Sequence, residues 1–207
     1  MGAHVVNLAQ QNGARELTGD GWIATVLDRP PLIAPARQFT FPFAVAGEED
    51  ALARGALWLQ VRSTGGTWLA QCALGFAGTG VAHGLWPLAG GGLLACAGGY
   101  AYAIDPDAPE RTVLLPPRPA VAVIALAERT VLVTHHALAV READGEVWAT
   151  PRLSWEGVTV TGADEAAVRG LGWNMMDDVE IAFEVDLRRR TATGGGYRLS
   201  GDCSASV

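Results

Sequence analysis

Three groups of residues in this chain have side chains suited to chemistry. Asp177, Asp178, Glu180, Glu184 and Asp186 lie close together, and paired carboxylates can act as general acid and base in hydrolysis or elimination. His135 and His136 are adjacent and offer the imidazole nitrogens that zinc accepts. The run Gly172-Trp173-Asn174-Met175-Met176-Asp177-Asp178 sets an indole and two thioethers beside acids, a combination suited to gripping a partner surface. Each group also has a plainer explanation in the strand pattern. Alternation puts Val179, Ile181, Phe183, Val185 and Leu187 on one face and Glu180, Ala182, Glu184 and Asp186 on the other, so these acids are the wet side of an amphipathic strand. An extended His135-His136 pair points to opposite faces, and no Cys or carboxylate follows at ligand spacing, so a hairpin turn is expected there and no metal. Arg188-Arg189-Arg190 reads as a solvated turn.

Other signatures are missing. There is no G-x-S-x-G, and Gly75-Phe76-Ala77-Gly78-Thr79-Gly80 has its glycines in the wrong order for a dinucleotide loop. Cys72, Cys96 and Cys203 are isolated and odd in number, which suggests neither a disulfide framework nor a C-x-x-C site. All 15 basic residues are Arg. Without lysine there is no side-chain Schiff base and no phosphate-loop ammonium, and the Ala, Gly and Arg richness fits GC-rich coding in a bacterium. A net charge of −7 disfavours binding to nucleic acid. No uninterrupted apolar stretch is long enough to span a bilayer, and Met1-Gly2-Ala3-His4-Val5-Val6 lacks the parts of a secretory signal. A cytoplasmic protein with no cofactor and no membrane association is expected.

The elements that must position these residues are strands. Of the 207 residues, 26 are Gly and 11 are Pro, spread along the chain, which supplies turns and argues against long helices. Alternating runs are expected as strands at 22–27, 57–62, 68–74, 93–97, 100–104, 121–127, 130–134, 137–141, 146–150, 158–161 and 167–173. Phe39, Phe41, Phe43 and Val45 form another, with Pro42 confining it to a sheet edge. One or two helical turns are expected at 48–54 and 163–168. Residues 1–20 form an arm, 21–198 a single β-rich domain and 199–207 a tail.

The strands repeat. Leu59-Gln60-Val61-Arg62-Ser63-Thr64-Gly65-Gly66 aligns without gaps on Leu138-Ala139-Val140-Arg141-Glu142-Ala143-Asp144-Gly145, and Trp68 and Trp148 follow. Taking Arg62, Asp105, Arg141 and Asp186 as equivalent gives intervals of 43, 36 and 45 residues, a period near that of propeller blades. Val131-Leu132-Val133, Leu138-Ala139-Val140 and Asp144-Gly145-Glu146-Val147-Trp148 together resemble one pyrroloquinoline-quinone-type propeller repeat. Leu93 to Asp105 is similar but lacks the final Trp. The resemblance implies architecture alone, since quinone-binding members are much longer and carry a calcium site.

The fold expected is thus all-β, a small β-propeller-like array of four or five antiparallel meander blades, with a β-sandwich as the alternative. The function expected is a noncatalytic module that binds a protein or small polar ligand through loops at one end of the blades. Trp173, Asn174, Met175, Met176, Asp177 and Asp178, with His83 and Trp86, are the candidate binding residues, and no residue is assigned to catalysis. Two alternatives stand beside it: a small carboxylate-dependent hydrolase or lyase, and a structural or immunity-type partner protein.

Overall fold

The computed structural model describes residues 9–42, 52–76 and 79–197. Its strands form four sheets. The first contains β1 (Glu16–Gly19), β2 (Trp22–Leu27), β3 (Arg37–Phe41), β4 (Ala56–Ser63) and β5 (Gly66–Ala73) in the order β1-β2-β4-β5-β3. The second is β6 (Gly84–Pro87), β7 (Leu93–Ala97), β8 (Tyr100–Ile104) and β9 (Val113–Leu115). The third is β10 (Ala122–Ala125), β11 (Arg129–Val133), β12 (Leu138–Glu142) and β13 (Val147–Ala149), and the fourth is β14 (Val158–Ala163), β15 (Ala167–Asn174), β16 (Val179–Asp186) and β17 (Thr191–Gly194). The last three sheets are antiparallel meanders in chain order. β3 pairs parallel to β5 and lies at the edge, as Pro42 requires; Phe43 and Val45 fall outside the described residues.

Alternating side chains explain how the sheets stack. In β7, Leu93, Ala95 and Ala97 join Tyr102 and Ile104 in a core shared with Leu59, Val61, Trp68 and Cys72 of the first sheet. The intervening Leu94 and Cys96 join Ala101, Ala103 and Trp86 in a second core, shared with Val123, Leu132 and Ala139 of the third sheet. The opposite face of the third sheet, with Ile124, Val131, Val133 and Val140, packs on Val168, Phe183, Val185 and Leu187 of the fourth. Each interior sheet is therefore buried on both sides. Among the described residues, no strand pairing and no core joins the fourth sheet back to the first.

Several expectations need correction. Residues 9–19 are not an arm: Gln10 exchanges backbone hydrogen bonds of 2.9 Å with Val123 and Ala14 with Leu85, and the chain then enters the first sheet as β1. The segment thereby lies against β10 and β6, covering backbone that would otherwise remain unpaired. Residues 1–8 and 198–207 are outside the described residues. The helical turn expected at 163–168 is a β-turn, in which Asp164 Oδ1 accepts from the amides of Ala166 at 2.7 Å and Ala167 at 2.9 Å. That side-chain capping competes with helix. Of the segment 48–54, residues 48–51 are outside the described residues and 52–54 form a turn. Among the described residues the sole helical element is the 3-10 turn Pro109–Arg111, and no helix is long and apolar enough to cross a membrane.

The repeat reading is partly right. Arg62 and Arg141 lie in β4 and β12, and Asp105 and Asp186 lie at or just past the ends of β8 and β16; each of these is the third strand of its meander if β3 is set aside as an insertion. The preceding residues Val61, Ile104, Val140 and Val185 are all buried. Val61 and Val140 face the following sheet, but Ile104 and Val185 face the preceding one. The alignment is one residue out in two sheets, which reverses the face.

Phe183 is buried, and Glu184 is exposed beside Arg169 at 2.7 Å. Phe183→Ala should lower stability by about 3–5 kcal/mol, whereas Glu184→Ala should leave the melting temperature nearly unchanged. Urea denaturation of both variants checks this, and equal losses would contradict the assigned face.

Candidate functional site

The run from Trp173 to Asp178 closes the β15–β16 hairpin. Asn174 directs the turn: its Oδ1 accepts from the Met176 amide at 2.9 Å, and its Nδ2 donates to Asp177 Oδ2 at 2.7 Å. The Trp173 indole donates to Asp178 Oδ1 at 3.0 Å, and Asp178 takes the left-handed backbone conformation that Asp tolerates in turns. Both acids thus hold the hairpin together. Met175 and Met176 are 46% and 60% exposed, next to an exposed Val179.

His83 and Trp86 belong elsewhere. His83 precedes β6 and is exposed, with Nδ1 accepting from the Gly98 amide at 3.3 Å. Partial burial and the nearby Arg15 charge push its imidazole below the usual value. Trp86 is buried in the core between the second and third sheets, with an unpartnered indole N–H. It is a packing residue, and no hydrogen bond, ring contact or shared core joins it or His83 to the Trp173 turn among the described residues. His135 and His136 form the β11–β12 turn, where Thr134 Oγ1 accepts from the amides of His136 and Ala137 at 3.3 and 3.0 Å. No group of three His, Cys, Asp or Glu side chains converges as a metal site would among the described residues. Cys72 and Cys96 are buried free thiols, and burial pushes Cys72 up to about 12, far from a thiolate nucleophile.

A large concavity lies at the opposite ends of the strands. It has a volume of about 790 Å³ and is walled by turns of the first three sheets. Leu17 and Trp22 come from the β1–β2 hairpin, Gly90, Gly91 and Gly92 from the β6–β7 turn, Asp105, Asp107 and Arg111 from the β8–β9 connection, and Arg141 and Gly145 from the β12–β13 hairpin. Gly90 is required by close approach: it has φ +82°, and a Cβ there would collide with the Ala143 carbonyl of the third sheet.

Comparison of the three seams between sheets explains why space remains. Trp68 near the start of β5 faces the second sheet, fully buried, and its indole donates to Pro106 O at 2.8 Å. Trp148 in β13 faces the fourth sheet, where Arg190 lies 5.8 Å over its ring. At the seam between the second and third sheets the corresponding inward position of the fourth strand is Val113, paired with the core residue Ala103. Val113 is 55% exposed and lines the cavity. A small side chain stands where the other two seams hold indoles.

The charges around the cavity are unequally satisfied. Asp107 Oδ1 accepts from Thr64 Oγ1 of the first sheet at 2.8 Å, and the hydroxyls of Thr64 and then Ser63 hold its carboxyl below the ordinary carboxylate range. Asp105 Oδ1 accepts from the amides of Asp107 and Ala108 at 3.0 and 3.3 Å. Arg141 is half-buried, and its Nη1 donates to Ala89 O at 2.9 Å and Glu142 O at 3.2 Å. Desolvation lowers its pKa, with the Asp144 charge opposing. Arg111 is exposed, and its guanidinium has no hydrogen bond or ion pair among the described residues, its backbone amide alone donating to Ala108 O at 3.0 Å.

Compared with family models, curated proteins and solved structures, the chain matches none of them. The geometry therefore carries the functional reading alone.

The folded-state pKa of Asp107 is depressed, so its stabilising effect is complete above the unfolded value near 4 and is lost as pH falls through the lowered one. Carboxyl NMR titration should place Asp107 below the ordinary aspartate range, and Thr64→Ala should move it upward. An unchanged midpoint in the variant would show that the Thr64 bond does not form in solution.

Proposed function

We propose that this chain is a noncatalytic binding module with a propeller-like arrangement of meander sheets, taking a small ligand in the cavity between its second and third sheets. The support for the architecture is the succession of sheets packed face to face, the last three of them meanders, with Trp68 and Trp148 on the fourth strands of the first and third. The observation that carries the function is the cavity itself. Its volume of about 790 Å³ is within the range of small-molecule sites, and apolar walls with a few converging polar groups are what such sites present. A packing defect with no purpose would cost stability through lost contacts.

The carboxylate-dependent hydrolase or lyase is less well supported. A general acid needs a carboxyl held above its usual range, whereas Asp107 is held below it and Asp105 is occupied by the amides of its own turn. Asp177 and Asp178 are spent on the hairpin at the other end of the strands.

Chemical-shift mapping with a library of small aromatic fragments tests the proposal. Shifts should cluster at Gly91, Ile104, Val113 and Gly145, and Val113→Trp, which restores the indole found at the other seams, should abolish them with no fall in melting temperature. Fragment binding that ignores Val113→Trp would sink the cavity as the site.

The exposed Met175, Met176 and Val179 favour a second, separate role in protein recognition. Changing Met175 and Met176 together to Ser should leave the melting temperature within about 2 °C, since neither side chain is buried. A larger loss would show that they serve the fold.

A further inference from the structure

The geometry points to the chemical class of the ligand: a planar apolar body carrying an anionic group, with the body occupying the space beside Val113 and the anion meeting Arg141 and Arg111. This rests on the cavity being the binding site, as proposed above.

The body is argued from the repeat. The first and third seams are each filled by an indole from the fourth strand, so the same pair of facing sheets leaves a flat apolar slot when Val113 replaces it. Leu115 and Val147 line that slot and belong to the core between the second and third sheets. Flat rings fill such a space with less conformational entropy lost than flexible chains.

The anion is argued from Arg141. A half-buried guanidinium is costly unless its donors and charge are matched. Elsewhere in this protein such a group is matched by a carboxylate: Arg129, likewise partly buried, meets Glu142 at 2.8 Å. Arg141 has only the two carbonyls on Nη1, and among the described residues no carboxylate lies within ion-pair distance, which leaves the Nε and Nη2 donors open beside Gly145. A carboxylate, sulfonate or phosphate oxygen matches that fork. Arg111, two residues before Val113, lines the same cavity with its charge also unmatched. The acids set the orientation. Asp107 is tied to Thr64 of the first sheet and Asp105 to its own turn, while Asp20 belongs to the β1–β2 hairpin. They repel an anion from the first-sheet side; on the third-sheet side the one acid whose charge acts on Arg141 is Asp144, which caps its own turn through the Glu146 amide at 2.9 Å and makes no ion pair with the guanidinium.

The test uses fluorescent probes on the full chain: 8-anilinonaphthalene-1-sulfonate as a planar anion, N-phenyl-1-naphthylamine as its neutral counterpart, and thioflavin T as a planar cation. The sulfonate should bind one site at least about tenfold more tightly than the neutral probe, a difference expected for one charge-assisted contact. Added salt should weaken the sulfonate alone. Arg111→Gln, an exposed change that leaves the Arg141–Ala89 tie intact, should remove most of that preference without altering neutral binding. Val113→Trp should eliminate both. If the neutral probe binds as well as the sulfonate, or thioflavin T binds best, and Val113→Trp abolishes that binding, the anion assignment is overturned while the cavity reading stands. Probe binding untouched by Val113→Trp overturns the cavity reading and this inference together.

Discussion

Burial of both faces of a sheet is the constraint on which this structure turns. All five residues of β7 and all five of β8 are buried, and a strand with two apolar faces must be sandwiched between neighbours, because exposing either face would put several aliphatic side chains in water at roughly 25 cal/mol per Å². The second sheet therefore demands a first and a third. The third, with Leu132 and Ala139 on one face and Val131 and Val140 on the other, demands a fourth. The succession ends where a strand becomes amphipathic: β16 buries Phe183 and Val185 and turns Glu180, Ala182 and Glu184 to solvent.

Apolar packing is not directional, so the spacing of the sheets is set by polar and aromatic ties at the strand ends. Between the first two sheets these are the Trp68 indole on Pro106 O, the Thr64–Asp107 bond and the Tyr102 hydroxyl on Ala73 O at 2.8 Å. Between the last two, Arg190 clamps Glu146, and Glu165 Oε1 accepts from the Ala127 amide at 2.6 Å. The middle seam uses Arg141 on Ala89 O and the Ala89 amide on Thr130 Oγ1 at 3.2 Å. Its tryptophan, Trp86, comes from β6 and not from the fourth strand, where Val113 stands beside the cavity.

The second feature outside the repeat is the stretch from Gln10 to Ala14, which lies against both β10 and β6. It adds hydrogen bonds across two sheets that otherwise meet through side chains, and it places β1 so that Leu17 and Trp22 wall the cavity. The opposite strand ends, with the Trp173 hairpin and the His135-His136 turn, are closed by hydrogen bonds within each turn.

Much of the local structure was legible in the sequence, because a period of two and glycine turns act over a few residues. The strands around 57–62, 93–97, 100–104, 130–134 and 167–173 follow from alternation, the edge position of Phe39 and Phe41 from Pro42, and the third strand of each meander from the Arg62-to-Asp186 spacing. The short strands β1, β6, β9 and β17 were not legible, since three or four residues are too few to show a period of their own. Nor was the site. Alternation defines two faces but not which neighbour covers each, so Trp86 could be placed at a binding surface when the third sheet buries it, and Asp105 and Asp186 could be aligned on the wrong face by one residue. Leu17, Gly91, Arg111 and Arg141 are remote in sequence and become neighbours only when three sheets stack; tertiary packing, not local pattern, brought them to one cavity.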